Sequence, residues 1–169
     1  MNTPITTLTG LVLLCALAGV TAAASAGGTD ARIERGRYLA VTSGCNDCHT
    51  PGYLQGDGNV PVDQWLTGNP VGFQGPWGTT YPANLRLSLS QMTEQQWLAK
   101  ARSAMRPPMP WFNLREMSDD DLLALYAFVR SLKPVGTPAP AYAPPGQAVN
   151  TPYFDFTPKN LPMTAKVGK

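Results

Sequence analysis

The spacing of apolar residues predicts one clear helix near the end of the chain, over Asp119–Leu132. Ser118 is suited to cap its start, three aspartates fill the first turn where the helix dipole favours negative charge, and Lys133-Pro134 stops it. The i, i+3/i+4 spacing of a buried face is followed by Leu122, Leu125, Tyr126, Val129 and Leu132.

A first helix is predicted over Asp30–Thr42, with Thr29 or Asp30 as its N-cap and apolar residues at positions 33, 38, 39 and 41. Gly36 in its middle costs about 1 kcal/mol relative to alanine, which a close helix crossing would explain. A short second helix is predicted over Thr93–Ser103, because Thr93-Glu94-Gln95-Gln96 is a capping box and positions 97, 98 and 101 form an apolar side.

The remaining segments have no sustained periodicity. Pro51–Ser90 is rich in glycine, proline and aromatic residues, and Ala104–Glu116 is predicted to be a loop between the last two helices. Residues 134–169 contain 8 of the 17 prolines and are predicted to form an extended arm. The arm carries aromatics that are unusual for a free tail, which would suit either wrapping back over the domain or docking on a partner: Tyr142, Tyr153, Phe154 and Phe156.

The N-terminal segment predicts a cleaved export signal. Residues 1–29 carry no charged side chain, Leu8–Val20 is an apolar run, and Ala24-Ser25-Ala26 matches a signal-peptidase site. The apolar run is short for a membrane span, although the residues before it lack the lysine or arginine usual in a signal peptide. A retained membrane anchor is the alternative. We therefore expect a signal peptide over 1–26, a domain over 27–133 and a Pro-rich arm over 134–169, with no transmembrane segment in the mature chain.

The amino-acid composition excludes several classes of function. The 169 residues include 13 Lys or Arg and 11 Asp or Glu, a formal net charge of +2, with no long basic block. This length suits one domain rather than a multi-domain enzyme, and this charge does not suit nucleic-acid binding. One histidine and three cysteines, of which Cys15 lies in the predicted signal, exclude several metal centres and a disulfide-rich scaffold.

The remaining cysteines and the histidine form a Cys-x-x-Cys-His motif at Cys45-Asn46-Asp47-Cys48-His49, the pattern of c-type haem attachment. Two thiols three positions apart can each form a thioether with one of the porphyrin's vinyl groups, and His49 can then bind the iron. A thioredoxin-like motif would follow a strand, and none is predicted before Cys45. Structural zinc takes four ligands, whereas the mature chain offers three. A disulfide would leave the histidine unexplained.

The single histidine excludes bis-histidine ligation, so methionines are the main candidates for the sixth ligand. Met92 and Met117 suit hydrophobic staples before helices, and Met163 lies in the Pro-rich arm. Met109 is bracketed by prolines at 107, 108 and 110, which restrict the backbone and favour it as a ligand over Met105. A lysine ligand or an open iron site is the remaining alternative.

A bound haem would also explain Pro51–Ser90, because so long an irregular segment could wrap the porphyrin instead of packing on itself. One short run within it holds side chains suited to donate hydrogen bonds to the haem propionates: Trp77, Tyr81, Asn84 and Arg86. The alternative is that the aromatics are ordinary core residues and that the arginine is solvated.

These residues resemble the class I c-type cytochromes, and more closely the haem domains of periplasmic bacterial cytochromes that accept electrons from dehydrogenases. The resemblance covers residues 30–133 and rests on the following segments: 35–39, the CNDCHT motif, Gly75–Thr79 with Asn84-Leu85, Met109-Pro110, and 118–122 with Tyr126 and Arg130-Ser131-Leu132.

The resemblance implies an all-α fold, few helices wrapped around one covalently bound haem, with the first and last helices crossing at Gly36 and Tyr126. It implies axial ligation by His49 and Met109 and a periplasmic electron carrier rather than an enzyme. Expected partners are redox proteins: a dehydrogenase as donor and an oxidase or another cytochrome as acceptor. The alternatives are a cytochrome subunit of a dehydrogenase complex and a haem enzyme or gas sensor with an open distal side.

Overall fold

The computed structural model describes Met1 and residues 23–160. Most of the predicted signal peptide, including Cys15, and Met163 lie outside the described residues. The described residues form six α-helices and one three-stranded sheet, with a 3-10 turn at Val62–Gln64. The helices are α1 (Ala23–Thr42), α2 (Cys45–His49), α3 (Leu85–Ser90), α4 (Glu94–Arg102), α5 (Trp111–Glu116) and α6 (Asp119–Ser131), and the strands are β1 (Gly72–Gly75), β2 (Gly78–Thr80) and β3 (Tyr153–Asp155).

The three predicted helices are confirmed as α1, α4 and α6, and the ends of α4 and α6 lie within one residue of the prediction. Helix α1 begins at Ala23, seven residues before the predicted Asp30. Thr93 caps α4 in the predicted capping box with Gln96, and Ser118 caps α6 by accepting a hydrogen bond from the backbone N–H of Asp121.

Helices α1 and α6 cross in close contact at Gly36. A Cβ added at this glycine would lie 2.0 Å from the carbonyl oxygen of Ala124 and 2.7 Å from the Cβ of Phe128. The expectation of a close crossing is therefore confirmed, but the aromatic residue beside the glycine is Phe128 rather than Tyr126. Positions 124 and 128 share one helix face, whereas Tyr126 lies on another face and donates its hydroxyl proton to the carbonyl of Met92 (2.6 Å).

An ion pair reinforces this crossing. Arg35 on α1 binds the Asp121 carboxylate on α6 with two hydrogen bonds, Nε to Oδ1 at 2.9 Å and Nη2 to Oδ2 at 3.2 Å. A two-point arginine–carboxylate contact is more specific than a single point contact. The hydrogen bond from Arg35 also holds the pKa of Asp121 below its ordinary value.

This pair predicts an acid-sensitive contribution to stability. Because the folded-state pKa of Asp121 is depressed, the contribution is present above the unfolded pKa of about 4 and is lost as the pH falls through the folded pKa. We expect Asp121→Asn to lower stability at neutral pH and to flatten its decline below about pH 4. Asp120→Asn, which removes the same charge from the same turn, is the control. Identical urea-unfolding curves against pH for the two variants would contradict the assignment.

The core lies between the α1–α6 crossing and the segment after α2. Its fully buried residues include Ala40, Leu66 and Leu122. Trp65 packs edge-on against Phe128, with ring centroids 6.2 Å apart, and its indole N–H is bonded to the carbonyl of Val60. The irregular segment thus packs part of its aromatic content on the helices.

Two predicted irregular segments contain regular structure. Pro51–Ser90 includes β1, β2 and α3, and the predicted loop Ala104–Glu116 ends in α5. These elements have three to six residues each, which is too few to produce a helical or strand periodicity in the sequence. The fold is still mainly helical, in agreement with the predicted all-α class, with the small sheet as an addition.

The C-terminal arm folds back onto the domain. Its strand β3 pairs in parallel with β1, and β1 pairs antiparallel with β2, so the sheet order is β2-β1-β3. An isolated bridge joins Ala143 of the arm to Thr79. Of the two uses considered for the arm aromatics, the structure displays the intramolecular one.

Within the described part of the chain, none of the helices combines the length and apolar character needed to cross a membrane.

Candidate haem-binding site

The Cys-x-x-Cys-His motif is itself a short helix, α2, set directly after α1. Gly44 separates the two helices in the left-handed conformation (φ 68°) that favours glycine. Because α2 is a little more than one turn long, positions i, i+3 and i+4 fall on the same side of it. This arrangement brings together Cys45, Cys48 and His49.

Buried hydrogen bonds fix the end of this helix. Thr50 donates its hydroxyl proton to the side-chain carbonyl of Asn46 (2.7 Å) and accepts the backbone N–H of Leu66 (2.8 Å). The carbonyl of His49 accepts the N–H of Gly68 (2.8 Å). Sequence reasoning did not assign roles to Asn46 and Thr50, because their partners lie up to 16 residues away.

The ring of His49 is buried, with 8% exposure, and oriented by one hydrogen bond. Its Nδ1 lies 2.7 Å from the carbonyl oxygen of Ala83. Since a carbonyl can only accept, Nδ1 carries the proton and Nε2 is left with its lone pair. Burial lowers the pKa of His49, and the Ala83 contact acts in the opposite direction. The histidine is therefore held as a neutral donor with one free nitrogen, the form that binds a metal.

The two thiols are unpaired and half-buried. Cys45 and Cys48 are both free. Burial raises the pKa of Cys45 to about 11 and also raises that of Cys48. Catalytic thiols of redox Cys-x-x-Cys motifs have lowered pKa values. The raised pKa values of Cys45 and Cys48, and the helix before them in place of a strand, both disfavour the thioredoxin-like alternative.

These features fit covalently attached haem. Two free thiols lie on the same side of α2 as the buried His49, whose Nε2 has no hydrogen-bond partner among the described residues, and Cys45 packs against the core. A buried amide nitrogen, Nδ2 of Asn46, has no hydrogen-bond partner among the described residues. The residues thus provide both thioether positions and one axial ligand.

Met105 and Met109 both lie half-buried against the core, so burial does not separate the two distal candidates. The backbone around Met109 is more tightly constrained. Its N–H donates to the carbonyl of Arg106 (3.3 Å), and its carbonyl accepts the N–H of Trp111 (2.8 Å) across an inverse γ-turn at Pro110. Axial ligation by Met109 stays a prediction.

The four predicted propionate donors have protein partners. Asn84 caps α3 by accepting the N–H of Leu87, and its Nδ2 donates to two arm carbonyls. Arg86 is buried and donates to the carbonyls of Asp63, Leu132 and Lys133. Its polar end therefore joins three segments of the chain instead of being solvated.

The two aromatic candidates are half-buried and also engaged. The hydroxyl of Tyr81 lies 2.5 Å from that of Thr151, and the indole N–H of Trp77 donates to the carbonyl of Phe73 (3.3 Å). For all four residues, propionate contact stays a prediction. One further contact could not be inferred from the sequence. The backbone carbonyl of Ala83, the residue before Asn84, orients the ring of His49.

A mainly helical domain with a Cys-x-x-Cys-His turn and a buried, singly bonded histidine defines the class of c-type cytochromes. Comparison with known families agrees: the cytochrome c family pattern matches residues 33–133. The chain belongs to the cytochrome c family. It carries haem c, attached through Cys45 and Cys48.

The chain is similar to curated subunits of several bacterial dehydrogenases. The chain is 32% identical over 120 residues to the fructose dehydrogenase cytochrome subunit of Gluconobacter japonicus, which covers 64% of this chain and 23% of the relative. It is 30% identical over 122 residues to the cytochrome c subunit of the quinone alcohol dehydrogenase of Gluconobacter oxydans, covering 63% and 23%. A similar match, 30% over 123 residues, is to one of the subunits of nicotinate dehydrogenase from Pseudomonas putida, covering 66% and 9%.

The chain thus spans less than a quarter of the length of these relatives. No solved structure matches it.

Proposed function

We propose that this chain carries electrons in the periplasm through one haem whose axial ligands are His49 and Met109. The observation that supports it most is the position of His49, which is buried and bonded through Nδ1 to the carbonyl of Ala83, so that Nε2 keeps its lone pair for a metal. Export is supported by the predicted signal peptide and by covalent haem attachment.

The protein's contribution to electron transfer is to keep the site rigid and dry. The haem, when bound, would supply the one-electron chemistry, and ligation by a methionine as well as a histidine would favour the reduced iron and a raised potential. The Ala83 carbonyl prevents rotation of the imidazole, the Asn46–Thr50–Leu66 network fixes the end of α2, and the turn at Pro110 restrains Met109. Because these contacts restrain the groups, they would move little between redox states, which would keep the reorganisation energy low.

We further propose that the electron donor is a dehydrogenase and the acceptor an oxidase or another cytochrome. The names of the relatives support the donor class. The net charge of +2 is offset by about −2 from the haem propionates, so strong electrostatic steering is not expected. A transient docking surface, roughly under 1,200 Å² in total, suits such exchange.

Addition of carbon monoxide to the reduced protein tests whether the distal position is closed. With both axial positions filled, we expect no change in the visible spectrum at low carbon monoxide concentration. Rapid binding of carbon monoxide at low concentration would favour the haem enzyme or gas sensor and would contradict the proposal of an electron carrier.

The second candidate function is a permanent cytochrome subunit of a dehydrogenase complex. It is favoured by the relatives, which are named as such subunits. Gel filtration of a native extract with haem detection separates the two: a free carrier elutes at the monomer mass, whereas a subunit co-elutes with dehydrogenase activity at a larger mass.

A further inference from the structure

We propose that the C-terminal arm is a strap that positions the loop of the distal methionine, with Tyr142 as the residue that contacts this loop. The strap is defined as residues 135–156, and the methionine loop as Arg106–Pro110. The inference rests on the proposed function, because it takes Met109 as the axial ligand. The strap lies outside residues 33–133, which match the cytochrome c family.

The beginning of the strap is fixed by Asn84. Its Nδ2 donates to the carbonyl of Val135 (2.8 Å) and to that of Thr137 (3.3 Å). Asn84 itself is buried, with 2% exposure, and adjoins Ala83, whose carbonyl holds His49. The strap thus starts beside the proximal side of the site.

The middle of the strap is joined to β2. Ala143 and Thr79 exchange two backbone hydrogen bonds of 2.8 and 3.0 Å, and Ala143 is buried, with 4% exposure. The backbones of the strap and β2 approach each other so closely that a Cβ added at Gly78 would lie 2.3 Å from the carbonyl oxygen of Ala143. This contact fixes the position of the preceding residue, Tyr142.

Tyr142 connects this anchored strap to the methionine loop. The guanidinium carbon of Arg106 lies 4.1 Å from the centroid of its ring, within cation–π distance. Its hydroxyl donates to the carbonyl of Trp77 (2.8 Å), in the turn between β1 and β2. The tyrosine is therefore held at both ends, with the sheet on one side and the loop on the other.

The methionine loop receives a second support from the same sheet. Thr80 on β2 donates its hydroxyl proton to the carbonyl of Pro107 (2.6 Å). Within the loop, the N–H of Met109 donates to the carbonyl of Arg106. Displacement of Arg106 or Pro107 would therefore move Met109 as well.

The far end of the strap closes the arrangement. Strand β3 pairs with β1, and the N–H of Phe156 donates to the carbonyl of Gln74 (2.7 Å). The rings of Phe154 and Phe156 pack on Phe73, with centroids 5.7 and 5.4 Å apart. Strap, sheet and methionine loop thus form one connected unit, which explains why a Pro-rich arm carries so many aromatics.

Cyanide binding to the oxidised protein tests this inference, because cyanide competes with the methionine for the iron. We expect Tyr142→Ala to raise the apparent cyanide affinity roughly five-fold or more, from loss of both the cation–π contact and the hydrogen bond. Tyr142→Phe keeps the ring on Arg106 and should lie between wild type and Tyr142→Ala. Tyr38→Ala is the matched control, since it removes a tyrosine stacked on Arg35 of α1.

The possible outcomes separate the strap from the ligation. If Tyr142→Ala binds cyanide with wild-type affinity while Met109→Ala binds it more tightly, the positioning role of the strap is contradicted. The assignment of Met109 as the ligand is then still supported. If Met109→Ala leaves the cyanide affinity unchanged, the assignment of Met109 as the ligand is contradicted. The positioning role of the strap, which depends on that assignment, is then contradicted as well. If Tyr38→Ala raises the cyanide affinity as much as Tyr142→Ala does, the increase reflects a general loss of packing in the domain. This result would also contradict the positioning role of the strap.

Discussion

Replacing both Cys45 and Cys48 by serine is expected to abolish covalent haem attachment. The two thiols are free and supply the only thioether positions among the described residues. Serine keeps the size of the side chain but cannot form the thioether, so the loss should be complete rather than partial. Haem staining after denaturing electrophoresis and the mass of the intact protein measure it, and each single variant should retain one linkage.

The third cysteine provides the control for this prediction. Cys15 lies in the predicted signal peptide, so Cys15→Ser should leave haem staining and haem stoichiometry at one per chain. Covalent haem persisting in the double variant, or disappearing in Cys15→Ser alone, would contradict the assignment of the attachment site.

Gly36→Ala is expected to cost about 2 kcal/mol or more of folding stability. The added Cβ would meet the backbone of Ala124 at 2.0 Å, and a main-chain oxygen cannot move away as a flexible side chain can. Helices α1 and α6 would have to separate, which also weakens the Arg35–Asp121 pair. This strain outweighs the roughly 1 kcal/mol of helix propensity that alanine gains over glycine. Urea unfolding of the holoprotein, followed by circular dichroism, measures the loss.

A second glycine in the same helix provides the matched control. A Cβ at Gly28 would meet nothing within 4 Å. Gly28→Ala should therefore be neutral or slightly stabilising. If the two substitutions change stability equally, the close approach at Gly36 does not govern the packing of α1 on α6.

The helices and the haem motif could be predicted because their information is local. Capping residues lie within three positions of the backbone groups they bind, as with Thr93 and Gln96. The attachment motif occupies five consecutive residues, and the buried face of α6 repeats within its own thirteen residues. The role of Gly36 could also be inferred, since glycine in a helix interior implies a steric reason.

The sheet and the fold-back of the arm could not be predicted because they depend on distant pairing. Strand β3 meets β1 from about eighty positions further along, and both are too short to display alternation. Arg86 illustrates the same limit: its partners are the carbonyls of Asp63, Leu132 and Lys133, which no sequence pattern connects to it. The Ala83 carbonyl was missed for a related reason, since any residue can supply a backbone acceptor.

The sulfur-to-iron charge-transfer band at the red edge of the visible spectrum tests axial ligation by His49 and Met109 most directly. We expect that the oxidised wild type displays this band, that Met109→Ala abolishes it, and that Met105→Ala, which removes the other half-buried methionine of the same segment, retains it. Absence of the band in the wild type, or its loss in Met105→Ala with retention in Met109→Ala, would contradict this ligation.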